Sequence, residues 1–471
     1  MVLILFFYTT STLANIELGV QESVNQQLQQ MSLEEKVGQL FIFGFNGKSY
    51  NSGIDQKLKN LHPGALISFS KNLGKPYQIA RLNHQLQSKS VAYSHVPLLL
   101  MVDQEGGTVT RILSSPRPPS ALALGLTKDP ALARSVGQVT GNILRFLGFN
   151  QNLAPVADLS NPNEKNFIGS RSFGDDPLLV RKMVQSLSVG HLQSLVLPTT
   201  KHFPGHGGMI QDSHKTLPIK SITIEELKEK ELIPFIPLAR NPMLTATMVA
   251  HLSLPKIDPT GVPATFSKVI ITDILRESLG YKGLVITDDI EMSGARSSGS
   301  VGQRAIKALI AGNDMIMVAW SYHKQKEAYN AVLTAVRNGV ISEARVNESL
   351  QRILYVKQLL NLENQVSPLT MSEADFQIHF RKLLSQQAQL THRISRLNFQ
   401  ATLEKNDNLR STLVPSQRVH FFSSSYSIYK NLAESLPNKV RFTRLKRKSP
   451  SPFLSMNQKM QNELLIYHVS G

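Results

Sequence analysis

"SKVIITDILRESLGYKGLVITDD" (Ser267–Asp289) contains one complete helix-to-strand unit. Ser267 opens a helix-compatible segment, Ser267–Gly280, whose last residue is a glycine suited to a C-cap. A short link leads into the apolar run Leu284–Thr287, which ends on two carboxylates, Asp288 and Asp289. The alternation recurs along the chain. Apolar runs stand at Val37–Phe45, Ala65–Phe69, Pro97–Val102, Leu153–Ala157, Leu195–Thr200, Leu244–Ala250, Leu284–Thr287 and Met315–Ala319, with helix-compatible segments between most of them. Strands alternating with helices form parallel βα units, and eight runs predict an α/β protein built on a closed TIM-type (β/α)8 barrel.

Polar residues at the C-terminal ends of barrel strands face the active-site rim. The runs here end on Asp103, Asp158, Lys201 with His202, His251, Asp288 with Asp289, and Trp320. "SLEEKVGQL" has Ser32 and Glu35 in capping-box spacing, so a helix is expected to start near Leu33. Ile341–Leu360 reads as a closing amphipathic helix. The expected organisation is a candidate signal peptide and N-terminal segment over 1–26, a catalytic barrel over 27–362, a linker over 363–376, and a C-terminal region over 377–471. That last region reads as a helix (His379–Arg396), a strand (Arg418–Ser427) and a helix near Ser427–Leu436, a small and truncated α/β region.

The chain has no Cys, which excludes disulfides, thiolate nucleophiles and Cys-ligated zinc. Its formal net charge is +17, yet residues 366–471 hold 15 basic and 6 acidic residues, more than half of that excess. A localised excess of this kind reads as a solvated face, or as attraction to anionic cell-wall polymer, rather than nucleic-acid binding. No stretch approaches the roughly 20 apolar residues of a membrane span. The apolar run Val2–Phe7 followed by Ala14 resembles a short signal peptide without a basic start. If it is one, the protein is exported to the periplasm or cell envelope; otherwise it is cytoplasmic.

"KHFPGHGGMIQDSH" (Lys201–His214) offers three chemistries. His202 and His206 are four apart, but Pro204 and Gly205 prevent the helix that would align them on a metal, and no HExxH is present. A phosphate cradle lacks its GxxxxGK[ST] pattern. Asp212 and His214 are two apart, so a carboxylate could set the tautomer of an imidazole and make it a proton donor and then acceptor. On the seventh run, alternation sends Asp288 and Asp289 to opposite sides, one toward the barrel mouth and one into structure. A carboxylate nucleophile with a separate acid/base is the arrangement of a retaining glycosidase.

"KHFPGHG…DSH", "DQEGG…R", "IGSRSFGDDP" and "ITDDIEMSGA", in this order across roughly residues 27–360, resemble the β-N-acetylglucosaminidase (β-N-acetylhexosaminidase) branch of glycoside hydrolase family 3. The resemblance implies that Asp288 is the nucleophile, that His214 is the general acid/base and that Asp212 orients it. It implies that Asp103, Arg111, Arg171, Lys201 and His202 grip the non-reducing sugar, with no metal and no cofactor. The implied function is a retaining exo-β-N-acetylglucosaminidase acting on saccharides of cell-wall peptidoglycan. The alternatives are a catalytically inactive saccharide-binding barrel and a β-glucosidase-like member of the same family. One departure is Thr108 in "QEGGTVTR", where the family usually has Arg, which bears on rim contacts of that loop. Every candidate site residue precedes Leu360, so the chemistry is not expected to need the residues beyond it.

Overall fold

The computed structural model describes residues 10–405, apart from 115, 162–163, 165, 212, 214, 237–244 and 363–370, together with 419–422 and 464–467. Among these residues a closed barrel forms from β1 (Phe41–Gly44), β2 (Ala65–Ser68), β3 (Leu99–Val102), β4 (Gln151–Asn152), β5 (Leu197–Phe203), β6 (Ala246–Val249), β7 (Leu284–Asp289) and β8 (Met315–Val318). Every neighbouring pair is parallel, and β1 closes the ring against β8. The (β/α)8 architecture is the one expected. Strands covered on both sides need apolar residues on both faces, which is why they read as unbroken runs rather than alternating ones.

β4 departs from the sequence expectation. The strand is Gln151–Asn152, and Leu153–Ala157 follows it as irregular chain with a single bridge from Val156 to Lys201. The polar pair can lie inside because its amides are largely satisfied there, the exception being Gln151 Oε1, which has no partner among the described residues. Asn152 accepts from the Gln104 backbone N–H and donates to the Gln104 carbonyl, both at 3.0 Å, and Gln151 donates to Thr199 Oγ1 at 2.9 Å. A buried amide with its partners in place costs little, whereas apolar-run counting cannot see it.

Helices pack around the barrel. The Ser32–Glu35 capping box forms as expected and starts the helix Leu33–Gln39. The Ser267–Gly280 segment becomes a wide, π-type helix over Val269–Ser278. Helices Pro130–Phe146 and Pro177–Gln193 meet backbone to backbone: a Cβ at Gly190 would lie 2.2 Å from the Arg134 carbonyl oxygen, so only glycine fits.

Beyond the closing helix Glu343–Leu359, the helix Glu373–Lys405 starts inside the stretch read as linker and extends well past His379–Arg396 at both ends. It lies on the barrel's helical layer, where Phe376 meets Phe146 at 4.5 Å and Tyr77 at 5.3 Å between ring centroids. The expected strand after it appears as Val419–Phe422, paired in parallel with Leu464–Tyr467; the expected helix near Ser427–Leu436 lies outside the described residues.

At the opposite end from the strand C-termini, Asp314 ties the barrel to its closing helix. The carboxylate is fully buried and accepts from the Val285 N–H (2.9 Å), Ser349 Oγ (3.0 Å) and Arg352 Nη1 (2.9 Å), and it is paired with Arg276. Burial opposes its ionisation, but the arginines outweigh burial and hold its pKa below the usual carboxylate range. Removing one partner of such a buried set strands the others. Asp314→Ala is expected to lower unfolding stability by roughly 3–5 kcal/mol in urea titrations. Because the folded-state pKa is depressed, the native advantage is complete at neutral pH and fades as pH falls through the carboxylate range. The gap between variant and native should therefore narrow below about pH 4; a gap that stays constant to pH 3 would show that Asp314 acts by packing alone.

Candidate active site

A cavity of about 630 Å³ opens at the C-terminal ends of the strands, within the size range of ligand pockets. Its charged wall is built around Glu105. This residue sits on a hairpin (Gln104–Gly106 with Val109–Thr110) that leaves β3, and its side chain is 5% exposed. The turn needs glycine: Gly106 has φ +93°, and a Cβ there would lie 2.2 Å from the Pro119 carbonyl oxygen. Arg171 grips Glu105 with two parallel bonds, both 2.8 Å, and Lys201 Nζ lies 2.7 Å from Glu105 Oε1. Lys201 also donates to Asp103 Oδ1 at 2.8 Å, and Arg111 lies 3.9 Å from the other Asp103 oxygen.

Burial alone would push the Glu105 carboxyl up. Arg171 and Lys201 overcome that and hold it well below the usual carboxylate range. Burial likewise works against the Lys201 ammonium, yet Asp103 and Glu105 raise its pKa above the ordinary lysine value. Glu105, Arg171 and Lys201 are therefore charged together at neutral pH.

Lys201 and His202 are adjacent on β5, so strict alternation would send only one of them inward. The pairing with β6 shifts register between Lys201 and Phe203: Lys201 stands opposite Met248 and Phe203 opposite Val249, leaving His202 as an extra residue. This bulge lets both side chains line the cavity. Behind His202, Asp158 is fully buried. Its carboxylate binds His202 Nδ1 at 2.6 Å and accepts from the His202 and His206 backbone N–H groups at 3.2 and 2.6 Å. Burial opposes its ionisation, but the two histidines hold the Asp158 pKa down at about 2. With Nδ1 taken, Nε2 is the His202 nitrogen left for a ligand. His206 is buried against Phe167, and burial lowers its pKa.

A second register shift, between β7 and β8, falls at the two carboxylates. Asp288 lines the cavity, and its Oδ1 accepts from the Asp289 N–H at 2.8 Å. Asp289 also borders the cavity, but it is mostly buried and held by backbone groups. Its Oδ1 accepts from Glu291 and Ala319 backbone N–H groups at 3.1 and 3.2 Å, and its carbonyl binds His251 Nε2 at 3.0 Å. Burial raises the Asp289 pKa to about 7.

The structure thus brings Asp103, Arg111, Arg171, Lys201, His202 and Asp288 into one cavity. Asp158 and His251, also at strand ends, are buried supports behind it. Asp212 and His214 lie outside the described residues. Ser213, between them in sequence, is buried, and its carbonyl accepts from the Gly294 N–H in the loop after β7 at 3.1 Å. Thr108 is exposed in the hairpin turn and does not line the cavity. Glu105 was not among the sequence candidates. Its signal was a carboxylate inside the glycine turn of "DQEGG", between acid and base partners that need one. Among the described residues no three His, Asp or Glu side chains converge as a metal site.

Residues 32–356 match the glycosyl hydrolase family 3 N terminal domain. A β-hexosaminidase of Thiobacillus denitrificans is 37% identical over 262 residues, which cover 54% of this chain and 71% of that protein. The structure of a family 3 β-N-acetylglucosaminidase from Paenibacillus sp. str. FPU-7 is 33% identical, with a TM-score of 0.76 over 88% of this chain and 80% of that one. A β-N-acetylhexosaminidase from Beutenbergia cavernae is 29% identical, with a TM-score of 0.63 over 70% of this chain and 99% of that one. The chain belongs to glycoside hydrolase family 3, in its β-N-acetylglucosaminidase branch.

Proposed function

We propose that this glycosidase is a retaining exo-β-N-acetylglucosaminidase that removes terminal β-linked N-acetylglucosamine from peptidoglycan fragments, and that it works in the cell envelope. The observation that carries the reading is the charged wall around Glu105 facing Asp288 across one cavity. Asp103 accepts from sugar hydroxyls while Lys201, Arg171 and Arg111 donate to them, and His202 presents its Nε2. A ligand lacking those hydroxyls leaves buried charges short of partners, which discriminates strongly. Asp288 attacks the anomeric carbon while His214 protonates the departing oxygen. Water then attacks the glycosyl-enzyme with His214 as base, and Asp212 keeps the imidazole in the required tautomer. The tie between Ser213 and the loop after Asp288 supports this pairing. Because burial raises its pKa to about 7, Asp289 places less negative charge beside Asp288 than an ordinary carboxylate would.

Hydrolysis of a chromogenic N-acetylglucosaminide much faster than the matching glucoside supports this function. The reverse order would favour a β-glucosidase-like activity, and binding without turnover an inactive barrel. Asp288→Asn should cut kcat by roughly 10⁴–10⁶-fold while sugar binding, read by calorimetry, is retained. NMR should show the native product first as the β anomer, since two inversions occur. An active Asp288→Asn with a dead Asp289→Asn would put the nucleophile on the wrong carboxylate.

His214→Ala should slow release of a sugar leaving group by about 10²–10⁴-fold and release of nitrophenolate much less, because that anion needs no proton. The second step still lacks its base, so a burst of nitrophenol should precede slow turnover, and azide should speed the slow phase. Equal slowing of both leaving groups, with neither burst nor azide effect, would remove His214 from the acid/base role.

A further inference from the structure

The cavity wall opposite the charged grip is aromatic. Trp320, just beyond β8, is 52% exposed, and its ring stacks on Phe69, just beyond β2, at 4.6 Å and 17°. Lys71 Nζ lies 4.8 Å from the indole centroid. All three line the same cavity as Asp288. An exposed tryptophan on a solvent-facing rim needs a reason, because large aromatic rings normally bury most of their surface.

The ring is held rather than loose. Glu291 Oε1 accepts from the Trp320 and Ser321 backbone N–H groups at 2.8 and 3.3 Å, and its other oxygen pairs with Lys324 at 3.0 Å. On the other side, buried Asn72 accepts from the Phe69 N–H at 3.0 Å and donates to the Phe45 and Gly47 carbonyls at 2.9 and 3.1 Å. Two separate loops are therefore fixed so that one flat apolar face stands at the rim. Lys71 donates to Asn46 Oδ1 at 3.0 Å and is in no ion pair among the described residues.

We infer that Trp320, backed by Phe69 and flanked by Lys71, is the subsite for the leaving saccharide, and that Lys71 gives it a preference for one bearing a carboxylate. This rests on the exo-glycosidase reading above. The charged wall takes the terminal sugar and Asp288 its anomeric carbon, so the next ring must leave toward the open rim. A pyranose presents a face of C–H groups that suits an indole. As it settles, the Lys71 side chain moves from the ring face to its edge, where its ammonium meets the acidic substituent.

Trp320 is the only tryptophan in the chain, so emission excited beyond the tyrosine absorption band reports on this ring alone. In Asp288→Asn, which leaves ligands uncleaved, N-acetylglucosamine alone should barely alter emission, whereas a disaccharide carrying it at the non-reducing end should alter it strongly. A disaccharide with a carboxylate on its reducing sugar should bind about 3–10-fold tighter than its carboxamide, and the difference should shrink at high salt. Lys71→Met should bring those two ligands to equal affinity. In an otherwise native chain, Trp320→Ala should lower the ratio of kcat/KM for the disaccharide to that for N-acetylglucosaminyl fluoride about tenfold. Only the first chemical step differs between those substrates. If the monosaccharide perturbs Trp320 as fully as the disaccharide, or if the disaccharide binds by calorimetry without touching the emission, the subsite assignment is overturned. A carboxylate preference that survives Lys71→Met overturns the part given to the lysine. If calorimetry finds no N-acetylglucosamine saccharide bound at all, the glycosidase reading itself fails, a result distinct from silent emission with binding.

Discussion

Glu105 joins three segments that sequence keeps far apart: the hairpin after β3, the Arg171 turn after β4, and Lys201 on β5. Each of these charges would be costly to bury alone. Together they satisfy one another, and Asp103 and Arg111 extend the set toward the cavity. The consequence for binding is preorganisation. The cations are already desolvated and held in place, so a polar group entering the cavity meets fixed partners rather than side chains that must first shed water. Asp158 does the same for His202 from behind, holding one ring nitrogen and leaving the other for a ligand.

The barrel was legible because a parallel sheet covered on both sides must be apolar throughout, and the chain's runs announced seven of its strands. β4 was hidden for a physical reason. Gln151 and Asn152 are buried amides whose partners, Thr199 and the Gln104 backbone, come from distant sequence. Strict alternation would part Lys201 from His202 and Asp288 from Asp289, but register shifts at both pairs bring all four residues to the cavity. The candidates Asp103, Arg111, Arg171, Lys201, His202 and Asp288 were visible as residue types at strand ends and in loops. Glu105 was not, because its function is to pair with other protein charges, and pairing partners cannot be read from one position.

The two ends of the barrel use charge differently. At the closed end, Asp314 gathers arginines from the Val269–Ser278 and Glu343–Leu359 helices, and none of that cluster lines the cavity. At the open end, the charges around Glu105 line the cavity itself. The cluster that ties the barrel to its closing helix is thus separate from the one that lines the cavity.

The helix Glu373–Lys405 complicates the view that the barrel alone is the working unit. Residues matching the family end at 356, and every candidate site residue precedes that point. Yet Gln387 donates to Ser114 Oγ and the Pro116 carbonyl at 2.7 and 2.9 Å, and Asn398 donates to the Ala123 carbonyl at 2.8 Å. Ser114 and Pro116 lie a few residues beyond Arg111, on the chain that leaves the Glu105 hairpin. Loops gain conformational freedom when bonds of this kind are lost. The described cavity belongs to the barrel, but the chain on its Arg111 side is tied to a helix that comes after the barrel in the chain.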